Sequence, residues 1–116
     1  DEIVPLIPDV IFNEDKEIEE RIQEDKSLTY VGEVINQGGR RADFVRVVYH
    51  FWADDTSPIF SDSCFVAGNS IIYLNGVISD ASIEPAEEAT FELNINLPDS
   101  LKIEYVTKEI SWSLFD

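Results

Sequence analysis

Residues 89–97, ATFELNINL, alternate apolar and polar side chains without a break. Phe91, Leu93, Ile95 and Leu97 fall on one side, and Thr90, Glu92, Asn94 and Asn96 on the other. A period of two is the signature of a strand with one face buried, because successive side chains leave a pleated backbone on opposite faces. The same period governs 43–52, where Val45, Val47, Tyr49 and Phe51 form an expected core face. Phe44, Arg46, Val48, His50 and Trp52 form a mixed face, expected to be partly covered.

Turn chemistry punctuates these runs. Asn36, Gln37, Gly38 and Gly39 close a first strand over 28–36, the segment 54–58 ends in Pro58, and 98–100 reads Pro-Asp-Ser. Asn75-Gly76 between apolar flanks is the best local hairpin signal, since both residue types tolerate positive φ. A last strand over 102–115 places Ile110, Trp112 and Leu114 on one side, with Trp112 expected in the core. The spacing predicts an all-β, antiparallel sandwich. At 116 residues and 44% hydrophobic, the chain has the size of one domain able to bury a core without a metal or disulfide staple. Residues 1–27 read as an N-terminal strand and charged turn region, and 28–116 as the main sandwich. Pro5 and Pro8 disfavour a helix at the start, and the charged stretch 14–26 is read as strand and turn, a short helix being the alternative.

Twenty-four acidic residues against eight basic ones give a formal net charge of −16. Such a surface repels nucleic acid and anionic lipid, so neither is an expected partner. No apolar run approaches the ~20 residues of a membrane helix. Cys64 is the single cysteine and allows neither an internal disulfide nor a zinc cluster. Asp1 as first residue and the lack of Met fit a mature exported product or a trimmed segment.

Three of the eight basic residues, Arg40, Arg41 and Arg46, cluster around Gly38-Gly39. Phosphate loops feed a helix N-terminus and carry Lys and Ser or Thr, whereas here strands flank the glycines. The expectation is a hairpin turn with solvated arginines, the alternatives being that Arg40 and Arg41 contact an acidic partner or pair weakly with some of the 24 carboxylates. His50 is the only histidine, and any nucleophilic dyad or triad would need it, with Cys64 on a neighbouring strand as one option. Mid-strand sites are poor places for catalysis, so His50 is read as structural. The carboxylate clusters Asp54-Asp55, Glu87-Glu88 and Glu19-Glu20 fall in turns or polar faces, where water keeps them ionised, and none has the alternate spacing of a calcium loop. No catalytic residue, cofactor or metal is expected. Trp52 at a strand end, with Tyr73, is the candidate aromatic platform for a sugar.

The run YVGEVINQGGRRADFVRVVYHFWADD resembles the opening of FxLYD-type domains and the related cell-adhesion-like modules of bacteria and archaea. Val31, Gly32, Val34 and Asn36 carry the first part of the likeness, and Val45, Val47, Tyr49, Phe51 and Asp54 the second. Ile83, Pro85, Glu87 and Phe91 match a later segment, with Ala86 where the family usually has glycine. The resemblance implies an immunoglobulin-like sandwich of about seven strands, commonly exported or on the cell envelope. It assigns Gly32 to close strand packing, Asn36 to organising the turn and Phe91 to the core. The expected function is therefore a non-catalytic module for protein interaction or structural spacing, with a protein or neighbouring domain as partner. A small carbohydrate-binding module using Trp52 and Tyr73 is the alternative.

Overall fold

Alternation along the sequence becomes alternation in burial. In the computed structural model, which describes residues 7–24, 27–53, 56–72, 76, 78–97 and 102–113, Phe91, Leu93 and Ile95 are buried while Thr90, Glu92 and Asn94 are exposed. The described residues form nine strands: β1 (Val10–Phe12), β2 (Glu19–Ile22), β3 (Leu28–Asn36), β4 (Asp43–Trp52), β5 (Pro58–Phe65), β6 (Asn69–Ile72), β7 (Ile78–Ser82), β8 (Glu88–Ile95) and β9 (Tyr105–Ser113). All the pairings are antiparallel.

The number exceeds the expected seven or so for two local reasons. The N-terminal region supplies β1 and β2, which pair with successive halves of β3 (Val10↔Asn36 and Glu19↔Val31). Between them the chain steps aside at Asn13, whose N–H donates to Glu33 O and whose Oδ1 caps Asp15 N. The charged stretch is thus turn and strand, with β2 fully exposed. The segment 69–82 folds back as the β6–β7 hairpin, with Ile72 opposite Ile78 and Gly76 at φ +85° in the connection. Asn75, the other half of the hairpin signal, lies outside the described residues, as do Asp54, Asp55, Tyr73 and Leu114.

Besides the two-stranded β6–β7 sheet, one sheet places β3 between β8 and the β1–β2 edge and the other has the order β5–β4–β9. They face each other in a sandwich-like arrangement. Tyr30 of β3 stacks on Tyr49 of β4 at 4.2 Å between ring centroids, Phe12 meets Phe91 edge-on, and Phe51 packs on Phe60. Val34, Val45, Val47 and Ile83 complete the centre, and Trp112 is partly buried against it. Burial pushes the Tyr30 hydroxyl up to about 12, with Glu20 beside it adding to the rise.

Gly32 is fixed by packing. A Cβ there would lie 2.8 Å from the Phe91 ring and 3.0 Å from Ile18 Cγ1, so only glycine lets β8 and the β1–β2 connection close on β3.

The two lateral sides of the sandwich differ. On one side β5 approaches β8: the Glu92 backbone N–H reaches the Cys64 thiol, and Ala67 N donates to Thr90 O at 2.8 Å. On the other side β9 faces β1 and β2. Its only ladder among the described residues is with β4.

Candidate functional site

The glycine–arginine turn is held from within. Asn36, with no exposed surface, accepts from Asp9 N (3.2 Å) and Gly38 N (3.0 Å) through Oδ1 and donates through Nδ2 to Arg40 O (2.8 Å) and Ile83 O (2.9 Å). Gly38 is buried under the N-terminal segment; a Cβ would sit 2.1 Å from Ile7 O. Gly38 therefore serves backbone-to-backbone packing and Gly39 N donates to Ile7 O at 3.1 Å, so no phosphate cradle is needed to account for them.

Arg41 takes the alternative of pairing with a carboxylate. Arg41 Nε donates to Asp43 Oδ1 at 2.8 Å, and Asp43 is 1% exposed. Ser82 Oγ donates to the same carboxylate oxygen at 2.8 Å. A buried carboxylate needs such partners, so Arg41 compensates an internal charge. Arg40 lies beside it, half-buried, its carbonyl taken by Asn36.

Trp52 lies on the outer face of β5–β4–β9, half-buried rather than prominent. Its ring stacks parallel on Tyr105, 5.6 Å between centroids and 7° between planes, and its indole N–H donates to Thr107 Oγ1 at 2.8 Å. The sequence pointed to Tyr73 as the second aromatic; that residue lies outside the described set, and the structure supplies Tyr105 instead, directly opposite Trp52 in the β4–β9 register. Only that register reveals the pair, because the two residues are far apart in sequence. Trp112 is partly buried on the inner side, as expected.

His50 follows Trp52 on the same face. Its Nδ1 lies 2.7 Å from Ser61 Oγ and its Nε2 3.2 Å from Glu109 Oε1, a line across all three strands. A serine nucleophile needs its developing oxyanion held by fixed donors out of water. Ser61 and Glu109 are exposed, so the line orients the imidazole on an open sheet. Cys64 does not join it: Cys64 pairs with Val47, whose side chain faces the core, and burial pushes the thiol up to about 11.

Of the carboxylate clusters, Glu87 accepts from Asn69 Nδ2 at 2.7 Å, and Glu19 holds Arg21. A hydrogen bond with Glu33, and then the Glu33 charge itself, raise the Glu88 pKa from its ordinary value. The two are diagonal neighbours in the β3–β8 register, so only the pairing makes the contact visible. Among the described residues no group of three or more His, Cys, Asp or Glu side chains is arranged to hold a metal ion.

Compared with protein-family models, curated proteins and solved structures, the chain matches none of them. The structure by itself shows an all-β chain of several antiparallel sheets.

Proposed function

We propose that the chain is a non-catalytic β-sandwich module of the exported or cell-envelope kind, serving protein interaction or structural spacing. The observation that carries this reading is the outer face of β5–β4–β9. There an ordered aromatic pair, Trp52 and Tyr105, and the fixed His50 ring stand on a rigid ladder open to solvent, where large partners have access. Aromatic residues on rigid elements supply contact area at low entropic cost. The strand order supports an immunoglobulin-like sandwich. In that arrangement β3 and β8 take the places of strands B and E, and β4 and β9 those of C and F. Gly32, Asn36 and Phe91 occupy the structural roles that the FxLYD-type resemblance assigns them.

The Trp52–Tyr105 pair also favours the second reading, a carbohydrate-binding module, since flat aromatic surface stacks on sugar rings. A glycan array run with the protein and with Trp52→Ala separates the two. The leading reading expects no glycan signal that depends on Trp52. Glycan binding lost in Trp52→Ala would replace it with the carbohydrate reading.

A further inference from the structure

Charge is divided unevenly between the two outer faces of the sandwich. The sheet built on β3 and β8 turns Glu19, Glu33, Glu88 and Glu92 outward, with Arg21 among them. On the other sheet, the β5–β4–β9 register fixes rows across the strands, each centred on an outward residue of β4: Arg46, Val48, His50 or Trp52. Glu109, in the Val48 row, is the single carboxylate of these rows, and His50 Nε2 holds it at 3.2 Å. Arg46 is exposed and forms no ion pair among the described residues. Beside it in the same row, Phe65 is 58% exposed. On a chain of net charge −16, this face is near neutral, with Trp52 and Tyr105 at one end and Phe65 at the other. Interface centres lose charged residues and gain aromatic ones and arginine.

We propose that this face pairs with the same face of a second copy of the chain, about a two-fold axis that crosses the strands midway between Val48 and His50. The inference rests on the reading of the chain as an interaction module and names the partner of that module.

The register selects both the occupant and the axis. A two-fold in that place exchanges the Arg46 row with the Trp52 row and the Val48 row with the His50 row, so each contact occurs twice. Arg46 meets the partner's Trp52, a guanidinium against an indole that attracts it. Phe65 meets the partner's Pro58, which lies opposite Trp52 on β5, and Glu109 meets the partner's Thr107. Among the described residues no like charges are opposed. Other axes do worse. One through Val48 sets Glu109 against Glu109, and one along β4 sets Arg46 against Arg46. One between Arg46 and Val48 leaves Trp52 outside the contact.

The pairing keeps the outward glutamates of the β3–β8 sheet on the far sides of the two sandwiches. The net charge of −16 on each copy still opposes association. The rows span about 10 Å across the strands and about 20 Å along them, an area that belongs to the weak class of interface. Salt should therefore tighten the dimer, because it shortens the reach of the repulsion from ~10 Å at 0.1 M to ~3 Å at 1 M.

The test is sedimentation equilibrium with amide shifts of the isotope-labelled chain, from about 10 μM to about 1 mM, at both salt concentrations. The expected result is a monomer–dimer equilibrium, tighter at high salt, with concentration-dependent shifts on Arg46 to Trp52 and on Tyr105 to Ser111. Arg46→Gln should weaken it about fivefold to thirtyfold, since two contacts with Trp52 are lost. Arg21→Gln removes the same single charge from the opposite sheet and should change it less than about twofold. A monomer throughout, shifts centred on another face, a dimer weakened by salt, or equal weakening by the two variants overturns the proposal. A monomer leaves the interaction-module reading standing, because the glycan array decides that reading separately.

Discussion

Asn36→Ala is the substitution that the fold should tolerate least. The side chain makes four hydrogen bonds from a position with no exposed surface, two as acceptor and two as donor. Each neutral bond contributes about 1 kcal/mol net, and a buried group left without its partner costs about 1–3 kcal/mol. Gly38 N is the group stranded most deeply, because its residue is itself buried, whereas Ile83 O keeps the bond from Ala42 N at 3.0 Å. The sum, reduced for local relaxation, is about 3–5 kcal/mol, a large share of the ~5–15 kcal/mol that holds a domain together. Urea unfolding followed by the fluorescence of Trp52 and Trp112 measures it. A loss below about 1 kcal/mol would refute the reasoning, since it would mean that Asn36 is not what ties the lead-in segment, the 37–41 turn and the end of β7 together. Asn36→Asp adds a check of sign. A carboxylate in that place would face the Arg40 and Ile83 carbonyls, so folding should raise its pKa above the ~3.9 of an unfolded aspartate. Relative to the parent at each pH, this variant should be less impaired below that value and progressively more so as pH rises through the folded pKa.

Three further outcomes follow from the same contacts. Arg41→Ala removes the partner of a carboxylate that is 1% exposed and should cost about 1.5–3 kcal/mol in the same urea assay, the scale for hydrogen bonds to charged groups; a loss under about 0.5 kcal/mol would place Arg41 among ordinary surface residues. Ala86 has φ +68°, in the left-handed region, so Ala86→Gly should stabilise by about 0.5–1 kcal/mol, the ~1–2 kcal/mol steric relief less the entropy cost of glycine; a destabilised variant would contradict that reading of the turn. Burial pushes the Tyr30 hydroxyl up to about 12 from its ordinary 10.0, so its contribution to stability should be full below pH 10 and be lost as pH rises towards 12. Tyrosinate absorbance recorded alongside circular dichroism should show ionisation of this residue delayed until unfolding, and early ionisation in the folded state would contradict its burial.

Much of this architecture is legible in local pattern. The alternations over 43–52 and 89–97 identify β4, β8 and their buried faces, because burial of one face imposes a period of two that no partner strand is needed to see. The packing role of Gly32 and the turn-organising role of Asn36 are implied by the FxLYD-type resemblance and not by local pattern. What the sequence conceals is everything that depends on register. The Trp52–Tyr105 stack, the Ser61–His50–Glu109 line, the Glu33–Glu88 pair and the burial of Asp43 under Arg41 and Ser82 each join residues from different strands. The sequence leaves open which of the 24 carboxylates pairs with Arg40 or Arg41, and it does not single out the buried Asp43. Its burial arises from the approach of β7, which local pattern does not report. The edge position of β9 is likewise a property of topology: among the described residues it pairs with β4 alone, while β1 and β2 divide the edge of the opposite sheet.

The most direct test of the account is amide hydrogen exchange along β9. An edge strand with one ladder protects the amides that point to β4 and leaves those that point away from it exposed, so protection should alternate from Val106 to Trp112. Uniform protection of 106–112 would contradict the edge position of β9 and with it the strand order on which the sandwich reading rests.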